Sequence, residues 1–291
     1  MVLSYNMTLA EALSRASAFL EQAGKMADLT TLHSYWSMTF GWSYTRMILE
    51  RDLVLDKGMI DRFNQVLDRL VQDEPIQYIV GQADFGDLSF FVTPDTLIPR
   101  EDSYGLISQA QSHLRDAHDY RILDIGTGTG VLAITLKTLA PQAQVVGLDI
   151  SKPALEVAKS NSQRHQVAID WRISDVFSSL DPQKDQFDLI VSNPPYISLD
   201  EQGLMDQSVI KYEPAIALYA DDQGLAIYKR IAKDLGQYLK PQGLALFEIG
   251  FQQGKQVQSI FSQALAHAQV QIHQDLNGHD RYISVKREDP I

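Results

Sequence analysis

The stretch Tyr120–Asp149 constrains the fold of this chain more than any other part of it. The strand-like run Tyr120-Arg-Ile-Leu-Asp124 leads into three glycines at alternate positions, Gly126, Gly128 and Gly130, and then into Val131–Leu139, which reads as a helix. After that one crossover, Gln144-Val-Val-Gly-Leu-Asp149 reads as a second strand. Strands joined through a helix lie parallel in one sheet. Strand-like and helix-like segments keep alternating from about Leu106 onward, which argues for an α/β fold with a mainly parallel, doubly wound sheet. Open sheets of this kind place their chemistry in loops at the carboxyl ends of the strands.

The glycine loop lets backbone approach a ligand closely, because glycine has no Cβ and takes positive φ without strain. Its spacing departs from the dinucleotide fingerprint G-x-G-x-x-G: the third glycine comes one residue early, and Val131 stands where that fingerprint has glycine. A nicotinamide cofactor is therefore disfavoured. Asp124, just before the loop, would repel a pyrophosphate but suits a ligand carrying ammonium and sulfonium charges. Asp149 ends the next strand, where an acid commonly accepts hydrogen bonds from both ribose hydroxyls. It also precedes a helix with Ser151 as N-cap and Pro153 in the first turn, and the two roles are compatible. After the strand-like Ala168–Ile173 comes Ser174-Asp175-Val176-Phe177. There Asp175 can accept from an adenine amino group while Val176 or Phe177 covers the ring face. Alone this is a solvated loop acid; in series with the glycine loop and Asp149 it completes a nucleoside site.

The apolar run Phe187–Ser192 is followed by Asn193-Pro194-Pro195-Tyr196. Proline fixes φ and has no N–H, so Pro194 and Pro195 hold carbonyls in set directions without offering competing donors. Asn193 adds a side-chain oxygen acceptor, and Tyr196 a flat ring that can lie against a planar group. Such a loop is suited to accepting hydrogen bonds from an amino group; the bland alternative is a proline-rich turn closing a strand.

These residues resemble an S-adenosylmethionine-dependent methyltransferase, and more closely the HemK/PrmC family of protein-glutamine N5-methyltransferases that modify peptide-chain release factors. The resemblance extends over nearly the whole chain. It takes in Glu74-Pro75-Ile-Gln77-Tyr78-Ile-Val-Gly81, Leu97-Ile-Pro99-Arg100, Tyr212-Glu213-Pro214, Leu246-Phe-Glu248-Ile-Gly250 and Asp275-Leu-Asn-Gly278-His-Asp280-Arg281. Asn-Pro-Pro-Tyr alone is shared with adenine-N6 methyltransferases and specifies only an amino-group acceptor. Where the family usually continues after Arg100 with proline, an acid and threonine, this chain has Glu101-Asp102-Ser103, which leaves the backbone less fixed. The resemblance implies a Rossmann-like class I SAM-dependent methyltransferase domain of seven strands, the last antiparallel, with a small N-terminal helical bundle joined by a β-hairpin.

It also implies site roles. Gly126, Thr127, Gly128 and Gly130 lie against the methionine and ribose portions of S-adenosyl-L-methionine. Asp124 faces its ammonium group, Asp149 its ribose and Asp175 its adenine, with Val176 or Phe177 on the ring face. Asn193 and the Pro194 carbonyl accept the two hydrogens of a glutamine side-chain amide, within an acceptor loop completed by Pro195 and Tyr196, whose ring packs on the amide plane. Arg100, Gln77, Glu213 and Glu248 match motif positions, and hinge or packing roles explain them as well as catalysis does. Arg100 in particular suits organisation of the domain junction.

From Thr8 to about Val71 the chain reads as helix upon helix. Thr8 and Glu11 form a capping box, Leu32–Trp42 and Tyr44–Val54 read as shorter helices, and Trp36, Phe40 and Trp42 read as core. Asp84–Val92 reads as a hairpin turning at Gly86-Asp87. The expected division is a bundle over 1–74 for substrate recognition, a linker over 75–104 and a methyltransferase domain over 105–291. With no cysteine there is no disulfide, thiolate catalysis or zinc-thiolate site, and the seven histidines show no ligand spacing, so no metal is expected. No signal-peptide pattern or membrane-length apolar run occurs, so a cytoplasmic protein, taken as a monomer, is expected, and the sequon Asn6-Met7-Thr8 carries no weight. The net charge of −12, with no basic run, argues against direct nucleic-acid binding and suits a basic protein partner, although solvated acidic surface accounts for it equally. The family resemblance implies release factors as the partners. A ribosomal-protein glutamine methyltransferase, an adenine-N6 nucleic-acid methyltransferase and a non-catalytic adaptor follow in that order.

Overall fold

The computed structural model describes residues 2–25, 29–114 and 119–288. Its contacts divide it into two units: Met1–Ala83 with Asp206–Tyr212, and Asp84–Met205 with Glu213–Ile291. The boundary therefore falls nine residues beyond the expected end of the bundle at Glu74, and the first unit takes a second segment from far along the chain.

In the first unit, α1 (Leu9–Gln22) starts at Thr8, whose hydroxyl accepts from the Glu11 N–H while the Glu11 carboxylate accepts from the Thr8 N–H at 2.8 Å. Two of the N–H groups that a helix start leaves unpaired are thus satisfied reciprocally. There follow α2 (Leu29–Phe40), α3 (Tyr44–Leu49), α4 (Lys57–Leu70) and α5 (Ile76–Val80). Ser43 and Asp56 cap α3 and α4 through their side-chain oxygens. α3 stops at Leu49, well short of the expected Val54. The Arg51 and Leu53 carbonyls instead accept from the Ala10 and Leu9 N–H groups, and Val54 bridges to Thr8, so long-range backbone bonds replace further helical ones. Trp36 and Phe63 are fully buried, with Tyr35 stacked on Phe63 and Trp36 on Trp42. Ile76 joins this core, so the segment expected as linker is partly bundle.

β1 (Gln82–Phe85) and β2 (Leu88–Phe91) pair across the turn Gly86-Asp87. Phe85 and Phe90 belong to the core of the second unit, where α6 (Tyr104–His113) leads into the main sheet. Then come β3 (Arg121–Ile125), α7 (Val131–Leu139), β4 (Gln144–Asp149), α8 (Lys152–Arg164), β5 (Asp170–Ile173) and β6 (Phe187–Ser192). After β6, α9 (Gln207–Tyr212) lies in the first unit, where Lys211 Nζ and the Tyr212 hydroxyl both donate to the Gln72 carbonyl. The second unit resumes with α10 (Ala215–Leu218), α11 (Ala226–Tyr238), β7 (Leu239–Glu248), α12 (Gly254–Ala264), β8 (Ala268–Gln274) and β9 (Asp280–Arg287).

The seven strands run β5-β4-β3-β6-β7-β9-β8, with β9 antiparallel to both neighbours and the neighbouring pairs from β5 to β7 parallel. Alternate residues of each central strand bury on opposite faces. Leu123, Val146 and Ile190 pack with α11 and α12, whereas Ile122, Val145 and Leu189 pack with α6 and α7. Strand order reverses beside β3, since the chain steps outward to β5 and returns to the other flank of β3 as β6. Such a reversal opens a crevice beyond the carboxyl ends of the strands. Among the described residues no helix is long and apolar enough to cross a membrane.

Candidate active site

A cavity of about 300 Å3 lies at that crevice. Asp124, Asp149 and Asn193 reach it from the ends of β3, β4 and β6, and Gly126, Thr127, Gly128, Asp175, Val176, Pro194 and Pro195 also line it.

Asp124 is 1% exposed, and its carboxylate is divided. Oδ2 accepts from the Thr127 hydroxyl at 2.6 Å and from the Ala133 N–H at 3.2 Å, which ties the glycine loop to the first turn of α7. Oδ1 is buried without a partner. Burial pushes this carboxyl up to about 7, against the pull of those two donors, and the negative charge of Asp149 adds to the rise. A buried unpaired acceptor is costly, and this one belongs to a residue that lines the cavity. Asp149 accepts from the Gly128 N–H on Oδ2 and from the Ser151 N–H on Oδ1, each at 2.8 Å. It therefore holds the loop and the start of α8 while still lining the cavity; each carboxylate oxygen has a second lone pair to offer. Burial raises its pKa, against three backbone donors. Gly128 has φ of 54°, so a side chain there would strain the loop.

Asp175 lies on the wall paired with Arg230 of α11 at 2.6 Å, both side chains about half exposed. Val176 lies on the wall with φ of 52°, a conformation that non-glycine residues seldom take. Phe177, expected on the ring face, is instead core: it is 5% exposed, stacks on Tyr238 with centroids 4.3 Å apart, and is not among the lining residues. The positive φ at Val176 accompanies a turn in which Val176 and not Phe177 faces the cavity. Gly130 also departs from expectation. It starts α7 away from the wall, packed so closely that an added Cβ would meet Ile134, Trp171 and Ala158.

The acceptor loop is braced from outside, since the Ile197 N–H donates to the Leu218 carbonyl, the Ala220 N–H to the Ile197 carbonyl, and Gln253 Nε2 to the Tyr196 carbonyl. Asn193 Nδ2 donates to Ser103 Oγ at 3.0 Å, and Ser103 Oγ donates to Glu248 Oε2 at 2.5 Å. Among the described residues nothing donates to Asn193 Oδ1 or to the Pro194 carbonyl. Tyr196, expected against the acceptor, is not among the lining residues. Its ring packs on the core and its hydroxyl points to Glu248 Oε1 at 3.4 Å. Burial raises its pKa, and the neighbouring Glu248 adds to the rise. Glu248, 2% exposed, is pushed up to about 6, chiefly by burial and against the Ser103 hydrogen bond and the Arg281 charge.

Glu213 is buried beneath the strap Leu97–Arg100, accepting from the Ile98 N–H at 3.2 Å and from the Arg100 guanidinium. Arg100 thus braces a wall of the cavity formed by Asp95, Thr96, Leu97 and Pro99.

These features have relatives. The methyltransferase small domain family matches residues 108–212, and the PrmC N-terminal domain family matches residues 11–81. The release factor glutamine methyltransferase of Lactococcus lactis subsp. lactis is 44% identical over 82% of this chain and 86% of its own length. That of Enterococcus faecalis is 37% identical over 93% and 96%. The chain belongs to the release factor glutamine methyltransferase family. Solved structures extend the likeness of fold. A methyltransferase from Pyrococcus furiosus has a TM-score of 0.52 at 15% identity, covering 78% of this chain and all of that one. The N-terminal domain of human METTL16 also has a TM-score of 0.52, at 16% identity, covering 75% and 83%.

Within this family frame, two side chains of the site carried no sequence signal. Ser103 stands in the segment that departs from the family pattern, where the acid and the hydroxyl are retained in kind but the sequence assigns neither a role. Arg230 is one of three cations on an amphipathic helix, beside Lys229 and Lys233, and only the fold brings it to Asp175.

Proposed function

We propose that this chain transfers a methyl group from S-adenosylmethionine to the side-chain amide nitrogen, N5, of the glutamine in the Gly-Gly-Gln loop of peptide chain release factors. The observation that carries the reading is one cavity lined both by Asp124, whose buried Oδ1 has no partner, and by the loop Asn193-Pro194-Pro195, in which nothing among the described residues donates to Asn193 Oδ1 or to the Pro194 carbonyl. Family membership and the names of the relatives support the acceptor.

The residues fit the cofactor. The cofactor's ammonium group, directly or through water, would supply the donor that Asp124 Oδ1 lacks, Asp149 keeps lone pairs for its ribose hydroxyls, and Asp175 and Val176 line the region suited to its adenine. When bound, the cofactor supplies an electrophilic methyl carbon on a sulfonium. A glutamine amide nitrogen is a poor nucleophile, because its lone pair is delocalised into the carbonyl. Asn193 Oδ1 and the Pro194 carbonyl accept its two hydrogens, which aims the nitrogen and stabilises the positive charge that grows there as conjugation breaks. Pro194 and Pro195 present no N–H to compete with the amide. No general base is required beforehand, since the proton leaves to water after transfer.

The enzyme is read as cytoplasmic and monomeric, acting on protein with no direct nucleic-acid contact. The test is transfer of labelled methyl to a purified release factor beside a copy whose Gly-Gly-Gln glutamine is alanine. Label on the first alone supports the reading. Label on ribosomal protein or DNA instead moves the function to those acceptors. Asn193→Ala should lower kcat by roughly 100- to 1000-fold, by analogy with loss of one oxyanion-hole donor, with cofactor affinity little changed.

A further inference from the structure

We infer that Ser103 and Glu248 are positioning residues that decide which end of the Asn193 side-chain amide faces the acceptor nitrogen. The inference rests on the role of Asn193 given above. The two ends of an asparagine amide are nearly alike in shape and opposite in chemistry, one accepting and the other donating. A primary amide offers two N–H donors to the enzyme, so only the carbonyl end of Asn193 serves; the turned amide would set donor against donor.

Counting protons fixes the choice. Ionised Glu248 only accepts, and Ser103 has a single hydroxyl proton. At 2.5 Å from Glu248 Oε2 that proton belongs to the bond with the carboxylate. Ser103 Oγ then has only lone pairs left for Asn193, which must present Nδ2, found at 3.0 Å, and thereby sends Oδ1 to the cavity. Ser103 and Glu248 are 3% and 2% exposed, and the bond between them is buried, so water does not compete for the hydroxyl proton. Glu248 is itself held in place: the Tyr196 hydroxyl approaches Oε1, and the Tyr228 hydroxyl donates to its backbone carbonyl at 2.6 Å. Arg281 of β9 draws Glu248 toward the ionised form and Asp102 opposes it. The three members come from the start of α6, the loop after β6 and the end of β7, and are 90 and 145 positions apart along the chain from Ser103.

Ser103→Ala removes the acceptor for Nδ2 and frees the amide to turn. With saturating cofactor, kcat should fall roughly 10- to 100-fold, the effect of losing one charge-linked hydrogen bond. The cofactor Kd by calorimetry should stay unchanged, and Ser103→Thr should restore most of the rate. Ser103→Ala combined with Asn193→Ala should be no slower than Asn193→Ala alone, because Ser103 acts only through Asn193. A Ser103→Ala enzyme of normal kcat, or an equal loss in the Asn193→Ala background, overturns the inference. A readout without substrate separates it from the functional reading. The NMR signals of the Asn193 side-chain NH2, assigned by their disappearance in Asn193→Ala, should show one proton protected from exchange in the wild type and neither in Ser103→Ala. Equal exposure of both in the wild type overturns the inference whatever the acceptor is; protection with no release-factor labelling sinks the functional reading and leaves the inference standing.

Discussion

One oxygen of Asp124 ties the glycine loop to α7 and the other has no partner, and its titration should report both facts. Its pKa rises from an ordinary 3.8 to about 7, mainly through burial. A carboxyl raised on folding contributes stability that is full below its unfolded value and is lost as pH climbs through its folded one. Between pH 3.8 and about 7, then, this group makes the ligand-free protein progressively less stable. Cofactor binding should run the opposite way, because an ammonium group favours the charged carboxylate. Calorimetric affinity should therefore strengthen as pH rises through about 7, and that dependence should flatten in Asp124→Asn. A wild-type affinity that is flat across the same range would mean that Asp124 does not meet the cation.

At the scale of elements, the acceptor loop depends on a glycine outside it. Gly224 has φ of 81°, and a Cβ there would stand 2.0 Å from the Tyr196 backbone oxygen. Because that neighbour is backbone, relief requires the loop itself to shift. Gly224→Ala should lower kcat at least 10-fold, since small misplacements at a reacting centre are costly, and circular dichroism should show the sheet intact; unimpaired turnover would mean that the loop tolerates displacement. Elements with a period or a cap were legible in the sequence: α7, β4 and β6 match their expected bounds, and the Thr8 capping box is present as expected. So were the acidic residues at strand ends, because position after a strand already places them on the cavity. The rest depended on events that one segment cannot record. α3 is cut short by backbone bonds to the start of α1, Phe177 is turned inward by the positive φ at Val176, and Tyr196 is drawn off the cavity wall toward Glu248. Ser103 and Arg230 matter only through partners distant in the chain.

Over the whole molecule, a net charge of −12 sets a field that should speed encounter with a basic protein partner and do little once it is bound. With a release factor as acceptor, kcat/KM should fall several-fold as salt rises from about 50 to 300 mM, while kcat stays nearly level. Insensitivity of kcat/KM would mean that the acidic surface serves solubility alone. The route of the chain has a consequence for synthesis. The helical unit is finished by Asp206–Tyr212, which leaves the ribosome only after more than a hundred residues of the other unit have followed Ala83. At synthesis rates of about 5 to 20 residues per second that is a delay on the order of 6 to 25 s, long beside the time a small bundle needs to fold. The nascent bundle therefore waits with the Gln72 carbonyl still open, and takes up Lys211 and Tyr212 as latecomers once β6 has already been made.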